Sequence, residues 1–185
     1  LGIANDYLIA AAKQARVVIA EVNQQMPWTF TSHALDGVKI DAIVESDRPL
    51  IELKRSAISE VESRIAQHAL EFIGDRSVLE MGIGAIPESI LSALSDRKDL
   101  GIHTEMFSDG VIDLIKSGVI NNSRKKSHPG KSVTGFCIGT KKLYDFVNDN
   151  PAVAFLDIDY VNEVSVIRKN PKVIAINSCI EIDLT

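Results

Sequence analysis

Short apolar runs and helical stripes alternate along the chain. The mostly apolar runs lie at residues 17–22, 77–81, 100–104, 153–156 and 173–176. Runs of four to six apolar residues without alternation predict strands that are covered on both faces. Between them, apolar residues recur at helical spacing, as at Val61, Ile65 and Ala69. Strands that alternate with helices predict an α/β fold, an open and mostly parallel sheet with helices on both faces.

Polar residues mark where several of the predicted helices begin. Ser59 and Glu62 have the spacing of a capping box, which predicts a helix from about Val61 that ends near Gly74. Asn5 and Asn162 also stand where an N-cap would. The pattern therefore predicts a helix after Asn5 that ends near residue 15, and a short helix after Asn162 that ends near residue 168.

The stretch from Val78 to Gly110 organises the rest of the chain. Its predicted strand is followed at once by Gly82-Ile83-Gly84, and Pro87 stands where the next helix would start. The following predicted strand runs from 100 to 104, with Glu105 at its carboxyl end. Ligands of open α/β sheets bind at that end of the strands. We therefore expect the glycine turn and Glu105 to lie on one rim of the sheet.

Taken alone, these residues allow structural as well as functional interpretations. A single G-x-G is a weak signal. The dinucleotide-binding pattern G-x-G-x-x-G needs a third glycine at position 87, where this chain has Pro87, so the pattern is not met. A glycine turn that opens a helix can simply be tight, or it can lie against a bound anion. His103 should share a face of its strand with Glu105. A buried structural histidine is the favoured interpretation, and a role in orienting the site is the alternative.

Composition excludes several classes of function. Among 185 residues, 45% are hydrophobic and the formal charge is −5, which argues against a nucleic-acid-binding protein. The dense basic run at 124–126 predicts a solvated loop or, less favourably, a contact with acidic phosphates. Cys137 and Cys179 lie far apart in apolar surroundings, which predicts buried free thiols. Metal-binding motifs, a membrane span and a signal peptide are not found, so we expect no metal, no membrane partner and a cytoplasmic protein.

Several motifs occur together in one order: GIGAIP, HTEMFSDG, SHPGKSVTGFCIGTKKLYDF and DYVNEVSVIRKNPKVIAINS. In this order they resemble the acetyl-CoA hydrolase/transferase family, in particular its 4-hydroxybutyrate and butyrate:acetate CoA-transferases. The resemblance covers nearly the whole chain and implies a CoA-transferase-like α/β fold. It implies that Glu105 is the nucleophile. It also implies that the loop formed by Gly82, Ile83, Gly84, Ala85 and Ile86 lies against CoA.

The resemblance further implies a ping-pong reaction. CoA would pass from an acyl-CoA (4-hydroxybutyryl-, butyryl- or acetyl-CoA) to a free acid such as acetate through a glutamyl-CoA thioester on Glu105. No permanently bound cofactor is implied, because CoA is a substrate that becomes covalently attached. The expected partners are acyl-CoA and small carboxylic acids, and relatives suggest a homo-oligomer. Glu181 lies in an acidic alternating run but is not assigned the nucleophile's role.

Two further interpretations stay open at the level of sequence. Water could replace the acceptor acid, which would make the protein an acyl-CoA hydrolase. Alternatively, an α/β module could hold CoA or a nucleotide through its glycine loop without chemistry. Relative to its resembled family, the chain begins without Met and looks like the middle of a longer polypeptide. We expect residues 1–48 to end a first α/β domain and residues 49–185 to begin a second, which carries the nucleophile.

Overall fold

The computed structural model describes residues 1–31, 35–53, 57–179 and 181–183. Its strands are β1 (Ile19–Asn23), β2 (Ala42–Ser46), β3 (Val78–Met81), β4 (Gly101–Phe107), β5 (Ser132–Cys137), β6 (Val153–Phe155) and β7 (Val173–Ile176). Its α-helices are α1 (Leu8–Gln14), α2 (Glu60–Ala69), α3 (Ala85–Ser92), α4 (Gly110–Lys116), α5 (Lys141–Val147), α6 (Ile158–Val161) and α7 (Val164–Ile167). A short 3₁₀ turn, Leu70–Phe72, extends α2. None of the helices within these ranges is both long and apolar enough to cross a membrane.

Five strands form the main sheet in the order β6-β5-β4-β3-β7, and every pairing in it is parallel. The predicted mostly parallel α/β fold is therefore confirmed. The central strands are apolar because both of their faces are covered. Leu79, Ile102, Phe107 and Phe155 are fully buried in this core. All carboxyl ends of a parallel sheet meet at one edge, so residues that end or follow neighbouring strands are brought together there.

A separate pair of parallel strands, β1 and β2, lies earlier in the chain. The apolar run at 17–22 predicts a strand covered on both faces, but Ile19 and Val22 of β1 are exposed, as are Ile43 and Val44 of β2. Among the described residues, none covers these side chains. The strand itself is confirmed, and its expected burial is not found in this structure.

Local signals predicted some helix boundaries and missed others. The capping box at Ser59 is present, since its hydroxyl accepts from Glu62 N and the Glu62 carboxylate accepts from Ser59 N. In contrast, α1 begins at Leu8 rather than directly after Asn5. The Asn5 amide is buried and donates to Thr31 Oγ1 and Asp157 Oδ1, so a distant contact takes the side chain that would have capped the helix.

Three further predicted elements differ. α2 ends at Ala69, with the 3₁₀ turn between it and Gly74. α3 begins at Ala85, so Pro87 is its third residue instead of its first. Proline fits there because the first four N–H groups of a helix have no partner within it. The alternating run after Cys179 forms no strand over residues 179 and 181–183, and Ile180 and Leu184 lie outside the described residues.

Candidate active site

Glu105 is the one exposed residue of a strand that is otherwise buried. The other six residues of β4 are all buried. The sequence predicts a strand that stops at Thr104, but β4 continues through Met106 and Phe107, which pair with Phe136 and Cys137 of β5. Glu105 therefore lies inside the strand and not beyond its end. The pairing of β4 with β5 is interrupted next to Glu105, and we call this interruption the opening of the sheet.

The opening is visible in the pairing of β4 with β5. Thr104 pairs with Thr134, and the next pair is Met106 with Phe136. The Thr134 hydroxyl lies 2.9 Å from the carbonyl oxygen of Glu105 and 2.9 Å from that of Phe136. Its side chain thus adds a hydrogen bond to the backbone of both strands at this point. The backbone of Glu105 is held by a buried hydroxyl while its carboxylate faces outward.

The chain segment before α1 crosses the sheet at the same opening. The carbonyl of Gly135 accepts from the N–H groups of Asn5 and Asp6. A Cβ on Gly135 would lie 3.2 Å from the carbonyl oxygen of Glu105, so glycine allows this close packing. Asp6 comes near enough to Glu105 for the negative charge of Glu105 to add to burial in raising the pKa of Asp6.

Asn162 is the partner of the Glu105 carboxylate. Its Nδ2 donates to Glu105 Oε2 over 2.8 Å. The sequence predicts Asn162 as the N-cap of a helix, and this is wrong. Asn162 follows the last residue of α6, and Glu163 caps α7 through its carboxylate. The side chain of Asn162 is therefore available to the carboxylate, which leaves Glu105 Oε1 unengaged by this amide.

A second carboxylate, Glu80 on β3, shares the face of the sheet that carries Glu105. The β3–β4 register places Glu80 beside His103, two residues before Glu105. Asn177, directly after β7, donates its Nδ2 to Glu80 Oε2 over 2.8 Å. Burial raises the pKa of Glu80, and the charge of Glu105 raises it further against the effect of the Asn177 hydrogen bond. Acidic groups are thus gathered at this rim.

The glycine turn begins beside Asn177. The N–H of Gly82 donates to Ile176 O over 2.7 Å. A Cβ on Gly82 would collide with Asn177 Oδ1 and lie 2.9 Å from Ile176 O. Gly82 thereby permits the close approach that holds Asn177 next to Glu80. The turn was expected on one rim with Glu105, and these contacts join it to Glu80 on the neighbouring strand.

The rest of the loop leads into α3. Gly84, with a φ of 118°, is its N-cap in a conformation that side chains rarely adopt. A cavity of about 270 Å³ is bordered by Ile83, Gly84 and Ala85 and, across from them, by Met106 and Ser108. Met106 follows Glu105 in β4, so their side chains lie on opposite faces of the sheet. The cavity that Met106 borders is therefore on the other side of the strand from the Glu105 carboxylate.

The turn after β4 is tied to the start of α5. Asp109 is buried, and its carboxylate accepts from the N–H of Thr140 over 2.8 Å and from its hydroxyl over 2.6 Å. Asp109 is the N-cap residue of α4 by position, but its carboxylate binds Thr140, the N-cap residue of α5, and not an N–H of α4. This contact fixes the two loops that flank the cavity.

Several other predicted candidates lie apart from this site. Lys125, within the basic run, is buried and donates to two backbone carbonyls, and burial lowers its pKa to about 7. The expectation of a solvated run is therefore wrong for this residue.

Cys137 is buried as predicted, with its pKa raised to about 12 by burial, whereas Cys179 is exposed. Glu181 is exposed outside the sheet. Groups of side chains suited to a metal are not found in the described ranges.

Comparison with known proteins agrees with the motifs. Residues 139–185 match the acetyl-CoA hydrolase/transferase C-terminal domain. A 4-hydroxybutyrate coenzyme A transferase from Clostridium kluyveri is 50% identical over 183 residues, which are 99% of this chain and 43% of that protein. The resemblance to the acetyl-CoA hydrolase/transferase family is confirmed. A succinyl-CoA:cyclohexane-1-carboxylate CoA transferase from Geobacter metallireducens is 44% identical over 96% of this chain and 41% of that protein.

A solved structure shows the same fold. The crystal structure of a 4-hydroxybutyrate CoA-transferase from Porphyromonas gingivalis aligns with a TM-score of 0.91 and 46% identity, covering 99% of this chain and 47% of that one. Acetyl-CoA hydrolases are more distant, with that of Yarrowia lipolytica 26% identical over 178 residues. This chain spans about two fifths of the length of the two curated transferases named above.

Proposed function

We propose that this chain carries the nucleophile of a CoA-transferase, which moves CoA between an acyl-CoA and a free carboxylic acid. The observation that supports it most is Glu105, an exposed carboxylate on a buried strand, oriented by the Asn162 amide. Buried strands rarely expose a charge, and catalytic carboxylates need a fixed orientation toward the reacting carbon. The transferases among the relatives are also closer than the hydrolases.

The reaction on Glu105 balances without a cofactor. Its carboxylate oxygen attacks the thioester carbonyl, so a C–O bond forms, the C–S bond breaks, and a mixed anhydride and CoA thiolate result. The thiolate attacks the glutamyl carbonyl, which forms the glutamyl-CoA thioester and releases the first acid. An acceptor carboxylate then repeats both steps in reverse. CoA is therefore a substrate that is held covalently between the two halves of the cycle.

The loop from Gly82 to Ile86 would lie against CoA in this scheme. Gly82 and Gly84 let the backbone approach a ligand closely, and the first turn of α3 has N–H groups without helical partners. We extend the proposal to a domain boundary near residue 48, a cytoplasmic homo-oligomer, and butyryl-, acetyl- or 4-hydroxybutyryl-CoA as donors with acids such as acetate as acceptors.

Replacing Glu105 tests the proposal. In the complete protein, Glu105→Gln should lower CoA transfer from butyryl-CoA to acetate by at least about 10³-fold, because an amide cannot form the anhydride. Glu80→Gln is the matched control, since it makes the same change on the same face of the sheet. This control should retain turnover to within about tenfold. Full activity of Glu105→Gln would contradict the proposal, and release of free CoA without acetate would instead favour hydrolysis.

A further inference from the structure

His103 lies beneath the carboxylate of Glu105, on the same face of β4. It is 4% exposed, and its Nε2 is 2.8 Å from the carbonyl oxygen of Val161. A carbonyl can only accept, so Nε2 carries the proton of the neutral ring. The other ring nitrogen, Nδ1, is buried and has no hydrogen-bond partner among the described residues. The ring therefore makes one directed contact, and that contact is to α6.

Val161 is the last residue of α6 and directly precedes Asn162. The last carbonyls of a helix have no donor within it, and a helix of four residues has little stability of its own. The His103 hydrogen bond satisfies one of these carbonyls, and the Val161 side chain packs with Val133 and Leu156. The backbone at the end of α6 is thereby attached to the same strand that carries Glu105.

The other end of α6 is attached as well. The N–H of Ile158 donates to Asp6 O over 3.0 Å, next to the opening of the sheet. Asn162 itself is exposed, so its side chain would be mobile if the backbone beneath it moved. Two hydrogen bonds of 2.8 Å thus connect adjacent residues of one segment to His103 and Glu105 on one strand.

We propose that His103 is a positioning residue for the transfer reaction, whose Nε2–H anchors Val161 and so holds the Asn162 amide against Glu105 Oε2. This inference rests on the function proposed above. Burial lowers the pKa of His103, and the charges of Lys125 and His128 lower it further, against the effect of the Val161 hydrogen bond. The ring is therefore neutral at pH 7, and it orients the site without placing a positive charge below the nucleophile.

A double-mutant cycle in the complete protein tests this role. His103→Met fills similar volume without a donor, and it should lower kcat for butyryl-CoA:acetate transfer by about 10- to 100-fold with KM changed less than about threefold. His103→Gln places an amide N–H near the position of Nε2 and should restore kcat to within about threefold of wild type. In an Asn162→Ala background, His103→Met should cause no further loss, since its effect acts through Asn162.

Ser77→Ala is the structural control, because it removes a buried hydroxyl that donates to Gly74 O at the opposite end of the sheet. It should lower stability and leave kcat unchanged. Equal losses from His103→Met with and without Asn162 would overturn the inference, as would a folded His103→Gln enzyme as slow as His103→Met. If Glu105→Gln still turns over, the proposed function fails. If Glu105→Gln is inactive but the cycle is additive, only the role of His103 fails.

Discussion

The hydroxyl of Thr134 should be essential to the opening of the sheet at Glu105. The side chain is fully buried, and its single proton serves the carbonyl oxygens of Glu105 and Phe136, each 2.9 Å away. Thr134→Val keeps the shape of the side chain and replaces the hydroxyl with a methyl group. The carbonyl of Glu105 then loses this donor in a buried setting.

The loss can be estimated from this contact. A buried polar group left without its partner costs about 1–3 kcal/mol. For a domain of this size, each kcal/mol shifts Tm by about 2–4 °C, so a decrease of roughly 2–12 °C is expected for Thr134→Val. Because Glu105 would shift on its strand, kcat should also fall by about 10- to 100-fold.

Thermal unfolding followed by circular dichroism, with steady-state kinetics on the same samples, measures both effects. Thr134→Ser is the control, since it keeps the hydroxyl and removes one methyl group. It should lose about 1 kcal/mol of stability and retain most of kcat. A Thr134→Val protein with the Tm and kcat of wild type would refute the assigned role of the hydroxyl, and so would a Thr134→Ser enzyme as slow as Thr134→Val.

Two further changes test the glycine turn and the buried lysine. Gly82→Ala should displace Asn177 and the loop that follows β3, because the added Cβ would collide with Asn177 Oδ1 and crowd the backbone at Ile176. Denaturant unfolding should show a loss of more than about 1 kcal/mol in the free energy of unfolding. Unchanged stability would contradict the close approach of Gly82 to Asn177. Lys125 has its pKa lowered from 10.5 to about 7, so between these values the unfolded chain holds a proton that the folded chain lacks. The stability of wild type should therefore rise from pH 7 to pH 9 relative to Lys125→Met, by up to roughly 1.4 kcal/mol per pH unit, and parallel stability profiles would contradict a neutral buried amine.

Signals carried by neighbouring residues predicted much of the fold. The capping box of Ser59 and Glu62 is entirely local, and the structure reproduces it. The strand at 173–176 has the bounds that were predicted, because a run of four apolar residues is typical of a buried strand in a parallel sheet. The parallel arrangement followed from the alternation of strands and helices.

The misses are polar residues whose contacts are distant in sequence. Asn5 and Asn162 both look like helix caps, yet their amides donate across 152 and 57 residues, to Asp157 and Glu105. Lys125 lies in a basic run that predicts solvation, but its amino group is buried against two backbone carbonyls. A local pattern cannot distinguish a cap from a long-range hydrogen bond, because both use the same short polar side chain.

The candidate site was predicted only in part, because some of its contacts join residues that are distant in sequence. Glu105 and the glycine turn stood out because strand ends and glycines leave marks in sequence. Asn162 left no such mark: the resembled motif DYVNEV contains it, but nothing in the sequence places it beside Glu105. The burial of His103 was expected from the sequence, whereas its hydrogen bond to Val161 depends on the packing of α6, which the sequence does not reveal.

Trapping the covalent enzyme tests whether Glu105 is the nucleophile. The complete protein is incubated with butyryl-CoA, reduced with borohydride, digested and mapped by mass spectrometry. A glutamyl-CoA thioester is reduced to an alcohol, so the peptide that holds Glu105 should lose one oxygen and gain two hydrogens. Modification of a different residue, such as Glu80 or Glu181, or no modification while butyryl-CoA is turned over, would contradict the assignment of Glu105 as the nucleophile.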